Sequence, residues 1–167
     1  MKDIRSWVKE SRIDIVALDR NGNPILLVEV KGARELSESK KNAILSELND
    51  LARSFSVPYI MFADLNNIEV YSPKETLDPN REWFNSPLMK ASTSMVLPEY
   101  DPEFSKKSTE KGRIFSHYLE RLIEGWLRDI AYHWKSDTPP FSSKLKEIGL
   151  EEKLSNGTTF SESSISR

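Results

Sequence analysis

Apolar residues fall in two dense runs near the start of the chain, at 13–18 and 25–30, divided by a polar stretch containing Asn21-Gly22. Short, continuous runs of Ile, Val and Leu predict central strands covered on both faces. Asn-Gly is the pair best suited to a two-residue type I′ turn, because both turn positions need positive φ. The pattern therefore predicts a β-hairpin, with Pro24 at a strand start, where a missing N–H is tolerated. Beyond Gly32 the period becomes helical. Ile44, Leu48, Leu51 and Phe55 recur at four, three and four residues, which predicts a helix over 37–55 with Ser37 or Ser39 as its cap. Val57-Pro58 ends it. Strands are expected at 59–63 and 68–71, with a turn at Asn66-Asn67. A helix of that length permits a crossover, so the strands it joins are expected to be parallel neighbours.

The segment 72–108 is punctuated by Pro73, Pro79, Pro87, Pro98 and Pro102. It reads as loop, with an edge strand at 95–97. A loop this long suits a lid or a binding segment. Residues 109–134 predict a long amphipathic helix. Phe115, Leu119, Leu122, Trp126 and Ile130 form its stripe, broadened by Ile114, Tyr118, Ile123 and Leu127. Glu120, Arg121, Glu124 and Arg128 lie on its wet side. Pro139-Pro140 closes that unit, and 142–154 reads as a short helix interrupted at Gly149. The Ser/Thr-rich stretch 158–167 has little to bury and is expected to be disordered. Three regions follow: an α/β domain over 1–135, a helical appendage over 136–157, and a tail over 158–167.

Composition narrows the classes. The 167 residues are 38% hydrophobic and 30% charged, with a formal net charge of -2. Such a chain has material for a core, but it cannot hold nucleic acid by bulk electrostatics; phosphate contacts must come from a local patch. Cysteine is absent, which excludes disulfides and thiolate metal sites. No apolar run is long enough to span a membrane, and residues 1–10 lack the apolar centre of a secretory signal, so a cytoplasmic protein is expected. No Gly-rich phosphate loop, nucleophile elbow or H-E-x-x-H is present. His117 and His133 lie on one predicted helix, too far apart to share a metal. Among the tryptophans, Trp126 belongs to an apolar stripe. Trp83, near Arg81 and Phe84 in the long loop, is the better base-stacking candidate.

The hairpin carries the candidate chemistry. With Asn21 and Gly22 as the loop, Leu18 faces Ile25, Val16 faces Leu27, Asp14 faces Glu29 and Arg12 faces Lys31, all on one side of the sheet. The other side takes Ile13, Ile15, Ala17, Leu26, Val28 and Val30. Two carboxylates directly across a strand pair repel, and burial worsens the conflict. A divalent cation between them removes it, and oxygen ligands suit Mg²⁺ or Mn²⁺. Lys31 points to the same side, where its ammonium would hold an attacking water or stabilise charge on a phosphate. Strand ends often carry charges, and Arg12 and Lys31 neutralising Asp14 and Glu29 in a solvated cluster is the commoner outcome of such a pattern. The conjunction of turn, register and an acidic pair beside a lysine favours a site.

These residues resemble the PD-(D/E)xK nuclease superfamily. The stretch RIDIVALDRNGNPILLVEVKG places Asp14 on one strand and Glu29-Val30-Lys31 on the next, followed by a helix and a strand; Ile13 stands where the superfamily's name has proline. The later stretches YLERLIEGWLRDIAYHW and LKEIGLEEKL are similar to bacterial, notably cyanobacterial, members. The resemblance implies a restriction endonuclease-like α/β core with a mixed central sheet flanked by helices, plus a C-terminal helical extension. It implies Mg²⁺ or Mn²⁺ held by Asp14, Glu29 and the Val30 main-chain carbonyl, with Glu10 the nearby candidate for a further acidic ligand. Lys31 would orient water for in-line attack on a phosphodiester of DNA, making Asp14, Glu29 and Lys31 the catalytic set. Arg12, Arg34, Lys40 and Lys41 are the candidate nucleic-acid contacts. Cations sit poorly at a helix start on dipole grounds, so Lys40 and Lys41 there hint at a use. Cutting both strands of a duplex calls for two such sites, hence a homodimer or a subunit of a restriction or repair system. The competing expectation is a nuclease-fold module without catalysis, serving as a nucleic-acid or protein interaction unit.

Overall fold

The computed structural model describes residues 6, 9–10, 12–32, 36–74, 86–110 and 116–161. Six strands form one mixed sheet: β1 (Ile15–Leu18), β2 (Pro24–Val30), β3 (Tyr59–Ala63), β4 (Asn67–Tyr71), β5 (Met89–Ser92) and β6 (Thr158–Ser161), in the order β5-β4-β3-β2-β1-β6. The β2–β3 pair is parallel and every other pair antiparallel. Helix α1 (Glu38–Ser54) makes the crossover between the two parallel strands, as its length allows. Ser37 caps it, its hydroxyl accepting the Lys40 N–H at 3.2 Å.

The hairpin turn differs from the two-residue form. Asp19 N–H donates to the Asn23 carbonyl and Gly22 N–H to the Asp19 carbonyl, so Arg20, Asn21 and Gly22 make a three-residue loop. Only Gly22 among them has positive φ, +82°, the left-handed position this loop type reserves for glycine. The Asp19 carboxylate accepts the Asn21 and Asn23 amides at 2.9 Å each. Leu18 then pairs with Pro24, and a bulge restores Ala17↔Leu26, Val16↔Leu27 and Ile15↔Val28. Ile25 is the extra residue. The expected register thus holds for β1, because the longer turn and the bulge offset each other. Leu18 does not face Ile25, however, and Ile25 packs in the core opposite Leu27.

Each face of the sheet buries its own core. On the first, α1 lays Leu45, Leu48 and Ala52 against Val16, Leu18, Leu27, Ile60 and Phe62. Each fully buried aliphatic there contributes about 1.5–3 kcal/mol. The helix is rotated from the expected stripe: Ile44 and Leu51 lie at its flank and Phe55, just past the helix end, is exposed. Ile13 also joins this core rather than the opposite one, because the chain is irregular before Ile15 and Arg12 takes φ +56°. On the second face, α4 (Ser116–Tyr132) packs Leu119, Ile123, Trp126, Leu127 and Ile130 against Ile15, Ala17, Leu26, Val28 and Val30. Trp126 is wholly buried, its indole N–H donating to the Pro140 carbonyl at 2.9 Å.

The segment 72–108 contains more order than its prolines suggested. Residues 75–85, with Arg81, Trp83 and Phe84, lie outside those described, as do Trp7, Ile114 and Phe115. The edge strand is Met89–Ser92, not 95–97. Thr93–Val96 (α2) is helical, a 3₁₀ turn spans Leu97–Glu99, and α3 covers Phe104–Glu110. Two short helices follow α4: α5 (Ser142–Glu147) and α6 (Leu150–Leu154), separated by Gly149 at φ +82°. Their Leu145, Leu150 and Leu154 share the α4-side core.

The expected disordered tail is corrected in its first part, since Thr158–Ser161 is β6, antiparallel to β1. Its anchor is Glu124, expected on the wet side of its helix but only 7% exposed. The Glu124 carboxylate accepts the Thr159 and Ser161 hydroxyls at 2.7 and 2.9 Å and Arg128 Nη2 at 3.3 Å. Arg128 Nε donates to Thr159 Oγ1 at 2.8 Å. Glu120 is buried as well. No helix among the described residues is long and apolar enough to cross a membrane.

Candidate metal centre

The two carboxylates and the lysine meet at the carboxyl end of the parallel strand pair, on the α1 face. Asp14 directly precedes β1, and its Oδ2 accepts the Val30 N–H at 2.7 Å. A strand residue sends its N–H and C=O toward the same neighbour, so the Val30 carbonyl faces the Asp14 side too. Glu29 lies on β2 with its side chain 15% exposed, and Lys31 Nζ reaches its Oε1 at 3.1 Å. Lys31 is 37% exposed and its backbone is tied on either side. Its N–H donates to the Ala63 carbonyl at 2.9 Å, and the next N–H, of Gly32, to Ser116 Oγ of α4 at 3.0 Å.

The electrostatics are those of a crowded acid pair. Burial raises the Glu29 carboxyl furthest, and the neighbouring Asp14 charge adds to it; Lys31 opposes both, and the outcome is a carboxyl pushed up to about 7. Two acids that resist joint ionisation are relieved by positive charge, part of which Lys31 already supplies. The donor set, two carboxylates and a main-chain carbonyl, is all oxygen and fits a hard divalent cation. Among the described residues no three or more His, Asp or Glu side chains gather, so Glu10, exposed on a helical stretch, does not complete a three-carboxylate set.

The other candidates separate. Arg12 is exposed and precedes the paired strand, so it does not face Lys31 across a ladder. Arg34 lies outside the described residues. Lys40 is exposed at the start of α1. Lys41 is engaged: its Nζ lies 2.6 Å from Glu69 Oε1 and 5.4 Å from the centre of the Phe62 ring. Glu69 and Tyr71, whose hydroxyl donates to Glu69, escaped the sequence reading. The signal was available, for Glu69 is a lone acid between apolar strand positions, as Glu29 is. His117 is exposed, and His133 shares a hydrogen bond with the Ser136 carbonyl at 2.9 Å. Asp64 is turn chemistry, its Oδ1 accepting the Asn66 and Asn67 amides at 2.8 Å. Compared with protein-family models, curated proteins and solved structures, the chain finds no match in any of the three.

Proposed function

We propose that this chain is a divalent-metal-dependent phosphodiesterase acting on DNA, built on a restriction endonuclease-like core of the PD-(D/E)xK kind. The observation that carries the reading is the convergence of Asp14, Glu29 and Lys31, with Glu29 held part-protonated near neutrality by burial and by Asp14. Asp14, Glu29 and the Val30 carbonyl would hold Mg²⁺ or Mn²⁺. When bound, the metal supplies a Lewis acid for the phosphate and lowers the pKa of its water. Asp14 is pre-set for this role, because the Val30 amide fixes one of its oxygens and leaves the other to turn toward Glu29. Lys31, beside Glu29, would donate to the attacking water or to a non-bridging phosphate oxygen. A cytoplasmic location, and pairing of two copies or of this chain with a larger restriction or repair assembly, belong to the same proposal.

A second reading has one observation in its favour. Only two carboxylates gather among the described residues, which suits a nuclease fold kept as a nucleic-acid or protein interaction module. Activity separates the two. With Mg²⁺ or Mn²⁺ the wild type is expected to nick or cut plasmid DNA, and Lys31→Ala to lose cutting while remaining folded by circular dichroism. Cutting that survives without Lys31 defeats the mechanism. Calorimetric titration with Mn²⁺ addresses the ligands directly: Asp14→Ala is expected to bind the ion at least tenfold more weakly, and equal binding rules Asp14 out. A wild type that binds Mn²⁺ and DNA without cutting supports the second reading.

A further inference from the structure

The α1 face of the sheet carries more charge than the metal centre uses. At the level of Glu29 the register runs through Phe62 on β3 and Glu69 on β4 to Lys90 on β5. Residues directly opposite in a sheet share a face. Met89 and Ala91 fill the core on the other side, so Lys90 leaves on the α1 face, and it is exposed. Glu69 is 4% exposed. That buried carboxylate is met by Lys41 Nζ and the Tyr71 hydroxyl. Lys41 keeps 23% of its side chain in water, and its contact with Glu69 uses one of the three donors an ammonium carries.

Lys31, Lys41 and Lys90 therefore stand in a row at one end of one face. From β2 to β5 is three strand spacings, about 14 Å. A span of that length is enough to meet more than one phosphate of the same strand. With a formal net charge of -2 over the whole chain, a polyanion has to be held by such a local row. A buried ion pair contributes little stability by itself, which leaves the Lys41–Glu69 pair in want of another purpose.

We propose that this row is the track of a single DNA strand, crossing the sheet from β2 toward β5. Lys41 and Lys90 take phosphates on one side of the bond presented to Lys31, and Glu69 and Tyr71 are positioning residues that aim Lys41. The track rests on the nuclease reading.

The test is fluorescence anisotropy of a short labelled single-stranded DNA over a salt series, with Ca²⁺ in place of Mg²⁺. Each phosphate contact removed is expected to lower the slope of log K against log salt by about 0.7. Lys90→Gln should do so. The double variant Lys41→Gln with Glu69→Gln should do the same while leaving no buried charge, and its unfolding temperature shows that it folds. Glu69→Gln alone is expected to weaken binding without loss of fold. Lys146→Gln, on α5 beside the opposite core, should leave the slope unchanged. A wild type that binds with a slope insensitive to Lys41 and Lys90 overturns the track and spares the nuclease reading. A wild type that binds no single-stranded DNA at any salt overturns the track, while the plasmid assay decides the nuclease reading separately.

Discussion

Replacing Glu29 by Gln asks whether the acid pair is as strained as its surroundings require. In metal-free protein, burial and the Asp14 charge raise the Glu29 carboxyl from 4.5 to about 7. Its side chain keeps only 15% of its surface in water, so solvent screening removes little of the effect. A rise of that size corresponds to about 3 kcal/mol at ~1.4 kcal/mol per unit. The folded protein binds this proton more tightly than the unfolded chain. Below pH 4.5 both states hold it and it contributes nothing to pH dependence. As pH rises from 4.5 to 7 the unfolded chain ionises first and stability falls, reaching its full loss above 7. The amide cannot ionise, so the difference in unfolding free energy between Glu29→Gln and wild type should widen by about 3 kcal/mol from pH 4 to pH 8, in favour of the variant. Urea unfolding of both proteins in EDTA at several pH values measures it, and groups away from the site cancel in the difference. Saturating Mn²⁺ at pH 8 should narrow the gap by stabilising the wild type alone. A difference that stays flat with pH would refute the argument that Asp14 and Glu29 share one buried site.

Three further outcomes follow from the packing. A Cβ at Gly157 would lie 2.0 Å from the Leu18 carbonyl oxygen and 3.0 Å from that of Leu154; Gly157→Ala should cost about 1–3 kcal/mol and raise amide exchange in β1 and β6, read by mass spectrometry. Glu124→Ala removes the acceptor shared by the Thr159 and Ser161 hydroxyls and Arg128 Nη2 and should cost about 2–4 kcal/mol in urea unfolding, with Glu124→Gln recovering part of it. The Tyr118 hydroxyl, Lys107 and the Glu103 amide together hold the Asp101 carboxyl down to about 2; its stabilising effect is complete above pH 4 and lost as pH falls from 3.8 toward 2, a loss that Asp101→Asn should abolish in acid titrations followed by circular dichroism.

Much of the sheet was legible because its strands are nearly pure Ile, Val and Leu runs. The pairing of Ile15 with Val28, Val16 with Leu27 and Ala17 with Leu26 was the expected one, reached by the wrong turn: Asn-Gly advertised two loop residues, while Asp19 closed three and the Ile25 bulge restored the count. Nothing local distinguishes these, since both place glycine at a positive φ. The face of α1 was off by one residue because Ile44, Leu45, Leu48, Leu51 and Ala52 make a stripe too broad for periodicity to centre. Glu124 looked solvent-facing because its hydroxyl partners lie 35 and 37 residues later, in a stretch whose composition resembles a tail. Ser116, which fixes the Gly32 amide from 84 positions away, left no trace in the sequence at all.

The lateness of β6 has a consequence for how the chain is made. The strand that continues from Asp14 stays without its outer neighbour until almost everything up to Ser161 has left the ribosome. Until then β1 offers a bare row of amides and carbonyls, the kind of border that invites pairing with another nascent copy. A premature stop before Thr158 should therefore harm solubility more than the Ser/Thr-rich composition of that stretch suggests.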